Sequence, residues 1–332
     1  MLYFEHMKRI LVTGATGQIG SELVPALRNK YGNENVVATI HTRKLDSQTF
    51  ASGPCVELDV VDAELFESYV QEYQIDTIFH LAALLSSAAE ENPQDAWSVN
   101  MDGLLSALEA ARKNSCAVFF PSSIGAFGPV TPRENTPQDT IQRPNTIYGV
   151  TKVSGELLCD YYFTRFGVDT RGVRFPGIIS YETAPVGGTT DYAVDIFYEA
   201  IRRNRYTSFL NENTRLDMMF MPDAIRAVME LMEADLSHLK HRNAFNITAF
   251  NVTPKELAAA IQKFRPEFSI EYKVDPVRQA IADSWPESMN DVAAREEWGW
   301  SPQYNLETMA EIMLEKLAEK ISGNSSGEVA RD

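Results

Sequence analysis

Tyr148 and Lys152 lie four residues apart in the segment Y-G-V-T-K, downstream of a hydroxyl at Ser123. Side chains four positions apart share one face of a helix, so the phenol and the ammonium can point into one cleft. Bringing a tyrosine pKa from 10 to about 7 takes roughly 4 kcal/mol of preferential phenolate stabilisation. A cation about 4 Å away supplies that order of energy at an effective dielectric of about 20. The spacing therefore predicts a tyrosine base tuned by Lys152, although amphipathic helices also produce this spacing by chance.

A glycine-rich loop near the amino end of the chain predicts a dinucleotide-binding site. The run K-R-I-L-V-T at Lys8–Thr13 is typical of a strand, and a helical pattern follows from Ser21. Between them stands G-A-T-G-Q-I-G, whose backbone amides can approach a pyrophosphate at the positive end of the helix. The alternative is a tight turn whose glycines serve only packing.

Composition narrows the class of protein. The chain has 332 residues and a net charge of -16, which argues against nucleic acid or an anionic membrane as partner. No apolar run approaches the length of a membrane span, and the five histidines show no metal-ligand spacing. Three cysteines without a C-x-x-C motif, Cys55, Cys116 and Cys159, predict reduced thiols. We therefore expect a soluble enzyme without a metal, in the cytoplasm or the mitochondrial matrix.

Strands alternate with helices through the first half of the chain, which predicts an α/β fold with a Rossmann-type, doubly wound parallel sheet. After the first strand, the predicted strands are 35–40, 55–58, 77–81, 117–120 and 170–175. The predicted helices are 63–73, 93–114 and 146–166. Ligands of such sheets bind outside the carboxyl ends of the strands, where Ser123 and the glycine loop fall.

The division into domains follows from the change of pattern near Ile178. We predict a dinucleotide-binding domain over 8–177 and a smaller substrate lobe mainly over 178–320, and leave open that some later segments return to the sheet. A final helix should end near Lys320, with 321–332 as a disordered tail. Residues 1–6 are set apart from the fold prediction as a candidate non-native leader.

An ordered set of motifs resembles the extended short-chain dehydrogenase/reductase superfamily. The motifs are the glycine loop, Asp59-Val60, His80-Leu-Ala-Ala83, Asn100, Ser123 and Tyr148-x-x-x-Lys152. Three further stretches are similar to the epimerase-like L-threonine 3-dehydrogenase family: 175–180, 187–197 and 281–286. The resemblance spans about residues 8–320.

This resemblance implies NAD-dependent oxidation of L-threonine at C3 to 2-amino-3-oxobutyrate. It implies Tyr148 as the base, Ser123 as the group that holds the reacting oxygen, and Lys152 as a ligand of the nicotinamide ribose. Asn100 would brace the site. The implied cofactor contacts are Gly14, Gly17, Gln18, Ile19, Gly20, Asp59, Val60, Leu81, Ala82, Ala83, Tyr148, Lys152 and Pro176.

Substrate contacts are expected from Ser123 and Tyr148 and from polar or aromatic groups near the cleft: Ser86, Thr189, Thr190 and Trp285. The two threonines could instead cap a helix, and Trp285 could serve packing. Arg174 could face a substrate carboxylate or form an internal ion pair.

One departure from the family pattern concerns the adenosine ribose. The second strand ends A-T-I-H-T-R-K over 38–44, with no carboxylate, so NADP is physically possible although the resemblance favours NAD.

The resemblance leaves two other functions open. A nucleotide-sugar epimerase or dehydratase shares the cofactor chemistry, and a catalytically silent cofactor-binding regulator shares the fold. The long helices 93–114 and 146–166 also suggest a homodimer, although their apolar faces suit a monomer's core equally well.

Overall fold

The structure, a computed structural model, describes residues 7–183 and 188–328. Its strands are β1 (Ile10–Thr13), β2 (Val36–Ile40), β3 (Cys55–Glu57), β4 (Thr77–His80), β5 (Ala117–Phe119), β6 (Ser122–Ser123), β7 (Thr170–Arg171), β8 (Val173–Phe175), β9 (Gly177–Ile179), β10 (Arg205–Ser208), β11 (Leu216–Phe220), β12 (Phe245–Asn246), β13 (Phe250–Val252) and β14 (Ser269–Tyr272). Its helices are α1 (Gly20–Tyr31), α2 (Ser47–Ala51), α3 (Ala63–Glu72), α4 (Ser86–Glu91), α5 (Pro93–Trp97), α6 (Gly103–Asn114), α7 (Ile147–Phe166), α8 (Tyr192–Arg203), α9 (Met221–Glu233), α10 (Pro254–Phe264), α11 (Pro276–Asp283), α12 (Val292–Trp298) and α13 (Leu306–Glu328).

A parallel sheet with strand order β3-β2-β1-β4-β5-β7 forms the centre of the nucleotide-binding part. Residues Ile10, Leu11 and Val12 of β1 are fully buried, because helices cover both faces of such a sheet. The chain order reverses beside β1, where β4 joins the sheet on the side opposite β2. The predicted Rossmann-type α/β fold is confirmed, and its ligand crevice lies at this reversal.

The predicted strand at 170–175 is divided at Gly172. A Cβ on Gly172 would lie 2.3 Å from the carbonyl oxygen of Phe120, so the two segments approach more closely than a side chain allows. β7 completes the central sheet, while β8 pairs with β6 and β12 in a separate sheet. This second sheet carries Ser123 toward the crevice.

Two predicted helices differ in detail from the structure. The helix predicted over 93–114 contains a π-helical turn at Ser98–Asp102 between α5 and α6. Helix α13 continues to Glu328, so its predicted end near Lys320 is wrong. Of the predicted disordered tail, only residues 329–332 lie outside the described residues, as do residues 1–6.

The later half of the chain builds a lobe and also returns to the first domain. Helices α8, α10 and α13 enclose one apolar core with β11. Helix α9 packs instead in the core that contains β1 and α1, and β12 pairs with β8. Within the described residues no helix is long and apolar enough to cross a membrane, and all three cysteines are unpaired thiols.

Candidate active site

The first turn of α7 fixes the position of Tyr148. The Thr146 hydroxyl caps this helix by accepting a hydrogen bond from the Gly149 N–H at 3.1 Å. A Cβ on Gly149 would lie 2.3 Å from the Gly125 carbonyl oxygen, so glycine is required where the helix meets the preceding turn. A Cβ on Gly125 would in turn lie 3.2 Å from the Tyr148 ring. The two glycines therefore set the distance between the phenol and the end of β6.

Ser123 occupies that end of β6 and hydrogen-bonds Tyr148. Its Oγ also accepts a hydrogen bond from the Gly125 N–H at 3.1 Å. Pairing of Ser123 with Phe175 of β8 holds the serine backbone in place. The structure thus brings the two predicted hydroxyls together at the carboxyl edge of the sheet.

Lys152 is buried one turn after Tyr148, and its amine lies 5.5 Å from the centroid of the tyrosine ring. The amine donates a hydrogen bond to the Pro121 carbonyl oxygen at 2.7 Å and lies 4.8 Å from the centroid of the Phe120 ring. Burial lowers the pKa of Lys152 to about 8, and the nearby Glu156 carboxylate opposes that change. This lysine can therefore change its charge close to neutral pH.

The expected effect of Lys152 on the tyrosine is wrong for the protein without cofactor. Burial raises the pKa of Tyr148 above its usual value, and the hydrogen bond from Ser123 only partly opposes it. The physical reason is that desolvation of the phenolate dominates while the amine is engaged by Pro121. Tyr148 is thus a neutral phenol near pH 7 in this state.

Asn100 joins two walls of the site. Its Oδ1 accepts from the Leu84 N–H at 2.8 Å, and its Nδ2 donates to the Thr151 hydroxyl at 3.1 Å. The Thr151 hydroxyl donates to the Tyr148 carbonyl at 2.8 Å. Asn100 thereby ties the loop after β4 to α7, in agreement with a bracing role, and it lies in the π-helical turn.

The glycine loop fits a pyrophosphate, and the three glycines have different reasons to be glycine. A Cβ on Gly14 would lie 2.7 Å from the Ala82 nitrogen, and one on Gly20 would lie 2.2 Å from the Gly14 carbonyl oxygen. Gly14 also has φ +67°. A Cβ on Gly17 would meet only the Gly14 carbonyl oxygen, at 3.2 Å, and would otherwise point into open space. Because protein packing restricts Gly17 less than Gly14 or Gly20, its missing side chain fits a ligand lying against the backbone.

The side chains of Gln18 and Ile19 contact other parts of the protein. The Gln18 amide donates to the Ile178 carbonyl at 3.4 Å, and Ile19 packs on the core behind the loop. Ile19 stands at the N-cap of α1 and has no side chain that could satisfy the first N–H groups of the helix. The Ser21 and Glu22 N–H groups donate to the Gly17 and Ile19 carbonyls, whereas the Gln18, Ile19 and Gly20 N–H groups have no backbone acceptor within the described residues and can approach a pyrophosphate.

Thr13 joins the glycine loop to the next strand. Its hydroxyl accepts from the Ala82 N–H at 3.3 Å and lies 3.1 Å from Nδ1 of His80. Burial, with a smaller contribution from the charge of Lys152, lowers the pKa of His80 to about 3, so this imidazole is neutral. The segment that begins at Leu81 thus lies beside the glycine loop, and contact of Leu81, Ala82 and Ala83 with the cofactor stays a prediction.

Asp59 and Val60 follow β3 at the same edge of the sheet. Val60 is buried against Gly103, whereas the Asp59 side chain is 46% exposed and lies 3.8 Å from Nε2 of His41. Oδ1 of Asp59 accepts from the Val61 N–H at 3.2 Å. Asp59 is thus accessible at the carboxyl end of β3, and contact of Asp59 and Val60 with the adenine stays a prediction.

The predicted substrate contacts have different surroundings. Thr190 packs against Gly177, since a Cβ on Gly177 would lie 2.9 Å from the Thr190 methyl group. Asp191 is the N-cap of α8 and no side chain caps that helix, so the threonines do not act as caps.

Trp285 is buried in the apolar core of the lobe, which supports packing as one of its roles. Ser86 begins α4 near the exposed Leu85.

Sequence reasoning missed a buried carboxylate at Glu156. Arg174 binds it with two hydrogen bonds, of 3.0 and 2.8 Å, and Gln142 donates at 2.8 Å. Ser122, the neighbour of Ser123, also donates to Glu156. Arg174 is therefore used in an internal ion pair rather than facing a substrate. The four-residue spacing of Tyr148, Lys152 and Glu156 was the signal that could have revealed this residue.

Comparison with known proteins places the chain in a family. The model of the NAD dependent epimerase/dehydratase family matches residues 10–248. An uncharacterised epimerase/dehydratase of Staphylococcus saprophyticus is 54% identical over 314 residues, covering 95% of this chain and 98% of that protein. L-threonine dehydrogenase from Clostridium difficile superimposes with a TM-score of 0.93 at 56% identity, covering 95% of this chain and 99% of that one.

A monomeric L-threonine 3-dehydrogenase from a metagenome is also similar, with a TM-score of 0.89 and 45% identity over 94% of this chain and 99% of that one. The fold, the glycine loop and these matches agree on NAD as cofactor. The chain belongs to the NAD dependent epimerase/dehydratase family, within the extended short-chain dehydrogenases/reductases, and is an oxidoreductase.

Proposed function

We propose that this protein oxidises L-threonine at C3 to 2-amino-3-oxobutyrate with NAD, as part of threonine catabolism. The observation that carries the proposal is the contact between the Tyr148 and Ser123 hydroxyls above a buried Lys152. Similarity to L-threonine dehydrogenases along 95% of the chain supports this choice of substrate.

Tyr148 and Ser123 have different roles in removing the proton of the substrate hydroxyl. Tyr148 takes the proton of the C3 hydroxyl, and Ser123 holds the reacting oxygen against the phenol. When bound, NAD supplies the acceptor for the hydride that leaves C3. Lys152 favours the phenolate by its charge, and burial strengthens this interaction because little water screens it.

The raised pKa of Tyr148 means that the phenol has to be made more acidic before it can act as a base. A buried neutral phenol is a weak base, so the proposed reaction needs additional positive charge near Tyr148 in the complex. The amine of Lys152, whose pKa is about 8, supplies part of that charge near neutral pH, and the cationic nicotinamide of NAD, when bound, would add to it. Tyr148 and Lys152 therefore have to act as a pair.

For substrate recognition we propose Ser86, Thr189, Thr190 and Trp285 in addition to Ser123 and Tyr148. Thr190 lies against Gly177, which follows the proposed cofactor contact Pro176 in the sequence. The threonine hydroxyls are free of helix capping and suit the charged ends of an amino acid. Ser86 would approach the substrate from the α4 side.

A second copy of the chain is the proposed partner. Helix α7 exposes Leu157 by 64%, Tyr161 by 53% and Val150 by 38%, and Leu105 of α6 is 42% exposed. Such apolar side chains on two adjacent long helices suit a two-fold interface.

Formation of NADH from L-threonine tests the proposal directly. Purified full-length protein with NAD should give rising absorbance at 340 nm with L-threonine. The relatives named epimerase/dehydratase favour one alternative, turnover of a nucleotide sugar. Turnover of UDP-sugars without any oxidation of L-threonine would overturn the proposed substrate.

A further inference from the structure

The residue at the carboxyl end of β2 is Ile40, which lies 20 residues after the last glycine of the loop. In dinucleotide-binding folds, an acidic residue at about this distance binds the hydroxyls of the adenosine ribose and repels a 2′-phosphate. Here β2 runs parallel to β1 beside the glycine loop, so Ile40 occupies that place. The acidic residue that normally rejects NADP is therefore absent at the end of β2.

Two cations follow directly. Arg43 and Lys44 are both exposed, and neither has an ion-pair or hydrogen-bond partner in the part of the chain that the structure describes. The flexible stems of these side chains allow their charges to reach a phosphate at the end of the strand, and a guanidinium can bind it with two hydrogen bonds. Because Arg43 and Lys44 form no ion pair, no such interaction has to be broken before they bind an anion.

Three carboxylates lie near the end of β2, and two of them, Asp46 and Asp59, are already engaged; the third, Glu57, is exposed and pairs with Ile40 across the sheet. Asp46 caps α2 by accepting from the Gln48 and Thr49 N–H groups at 3.0 and 2.9 Å. Asp59 accepts from the Val61 N–H and lies 3.8 Å from His41. Asp46 and Asp59 are thus each held by local contacts.

We propose that Arg43 and Lys44, beside the apolar Ile40, bind the 2′-phosphate of NADP, so that this chain accepts NADP as well as NAD. This inference concerns the adenosine end of the crevice and does not depend on which substrate is oxidised.

Calorimetric titration of the full-length protein tests it without turnover. We expect 2′,5′-ADP to bind about tenfold or more tightly than 5′-ADP, because one charge-assisted contact is worth about that factor. Raising NaCl from about 0.05 to 0.5 M should reduce this preference, since salt screens exposed charges. Equal affinity for the two nucleotides would overturn the proposal.

Substitutions assign the effect to named residues. The double variant Arg43→Ala/Lys44→Ala should weaken NADP about tenfold or more and NAD less than about twofold. Lys273→Ala, which removes an exposed lysine in the lobe, should change neither affinity. Loss of NADP affinity in both variants, or in neither, would overturn the assignment.

Ile40→Asp supplies the missing carboxylate and should weaken NADP while strengthening NAD, with Ile40→Asn as the uncharged control. Unchanged NADP affinity in Ile40→Asp would contradict the proposed position of the phosphate. Thermal unfolding of each variant checks that it is folded. If L-threonine is not oxidised with either coenzyme, the proposed function fails while these binding results stand.

Discussion

Lys152 donates a hydrogen bond to the carbonyl oxygen of Pro121 at 2.7 Å, which holds the ammonium 5.5 Å from the centroid of the Tyr148 ring. The lysine is therefore positioned by the backbone before any ligand binds. At such a distance in a buried site, a positive charge still stabilises a phenolate by a few kcal/mol at an effective dielectric of about 20. Its effect is smaller than the cost of desolvation, since the pKa of Tyr148 is raised.

Lys152→Met should move the pH dependence of kcat for L-threonine, which reports the groups of the complex with NAD bound. A base is active when deprotonated, so the rate rises as pH passes its pKa. Without the ammonium, the pKa of Tyr148 should rise further, and the rising limb should move up by roughly one to two pH units. Rates measured from pH 6 to 10 check this, and an unchanged limb would show that Lys152 does not tune the tyrosine.

Tyr148→Phe should reduce kcat by about 10² to 10⁴, the usual contribution of a general base, while NAD affinity stays nearly unchanged. The ring still packs against Gly125, so the fold should be kept. Tyr161→Phe, on the exposed face of the same helix, is the matched control and should retain full activity. Comparable rates for Tyr148→Phe and the control would mean that another group takes the proton.

The order of the elements could be predicted from the sequence because parallel buried strands leave a strong apolar signal, as in β1 and β2. The division at Gly172 could not, since it depends on a close approach to Phe120, which is distant in sequence. The same holds for the raised pKa of Tyr148. The spacing of Tyr148 and Lys152 reveals the pair, but how far burial opposes the lysine depends on the three-dimensional surroundings.

Two glycine variants should separate packing from cofactor binding. Gly20→Ala should lower the free energy of unfolding, because its Cβ would lie 2.2 Å from a backbone oxygen. Gly17→Ala should unfold nearly like the parent protein but bind NAD at least about tenfold more weakly, since its methyl group would enter the space proposed for the pyrophosphate. Urea unfolding and calorimetry measure the two effects. Wild-type NAD affinity in Gly17→Ala would place the pyrophosphate elsewhere.

Asp217 of β11 should make the protein less stable as pH rises. Burial raises the pKa of Asp217 from 3.8 to about 7, although the Met289 N–H donates to its carboxylate. The folded state therefore holds a proton that the unfolded chain has lost, and stability falls between about pH 4 and 7. Asp217→Asn, which can still accept from Met289, should weaken this decline. Urea midpoints at pH 5 and 8 measure it, and an equal decline in both proteins would contradict the role of Asp217.

Leu157→Glu should convert the proposed homodimer into monomers. The side chain is 64% exposed in the single chain, and a charge placed at the centre of an apolar interface would lose its hydration without gaining a partner. Val277→Glu, at a 69% exposed apolar residue in the lobe, is the matched control and should leave the mass unchanged. Light scattering of the three proteins measures this. A monomeric parent protein would overturn the proposed dimer and align this chain with the related dehydrogenase described as monomeric.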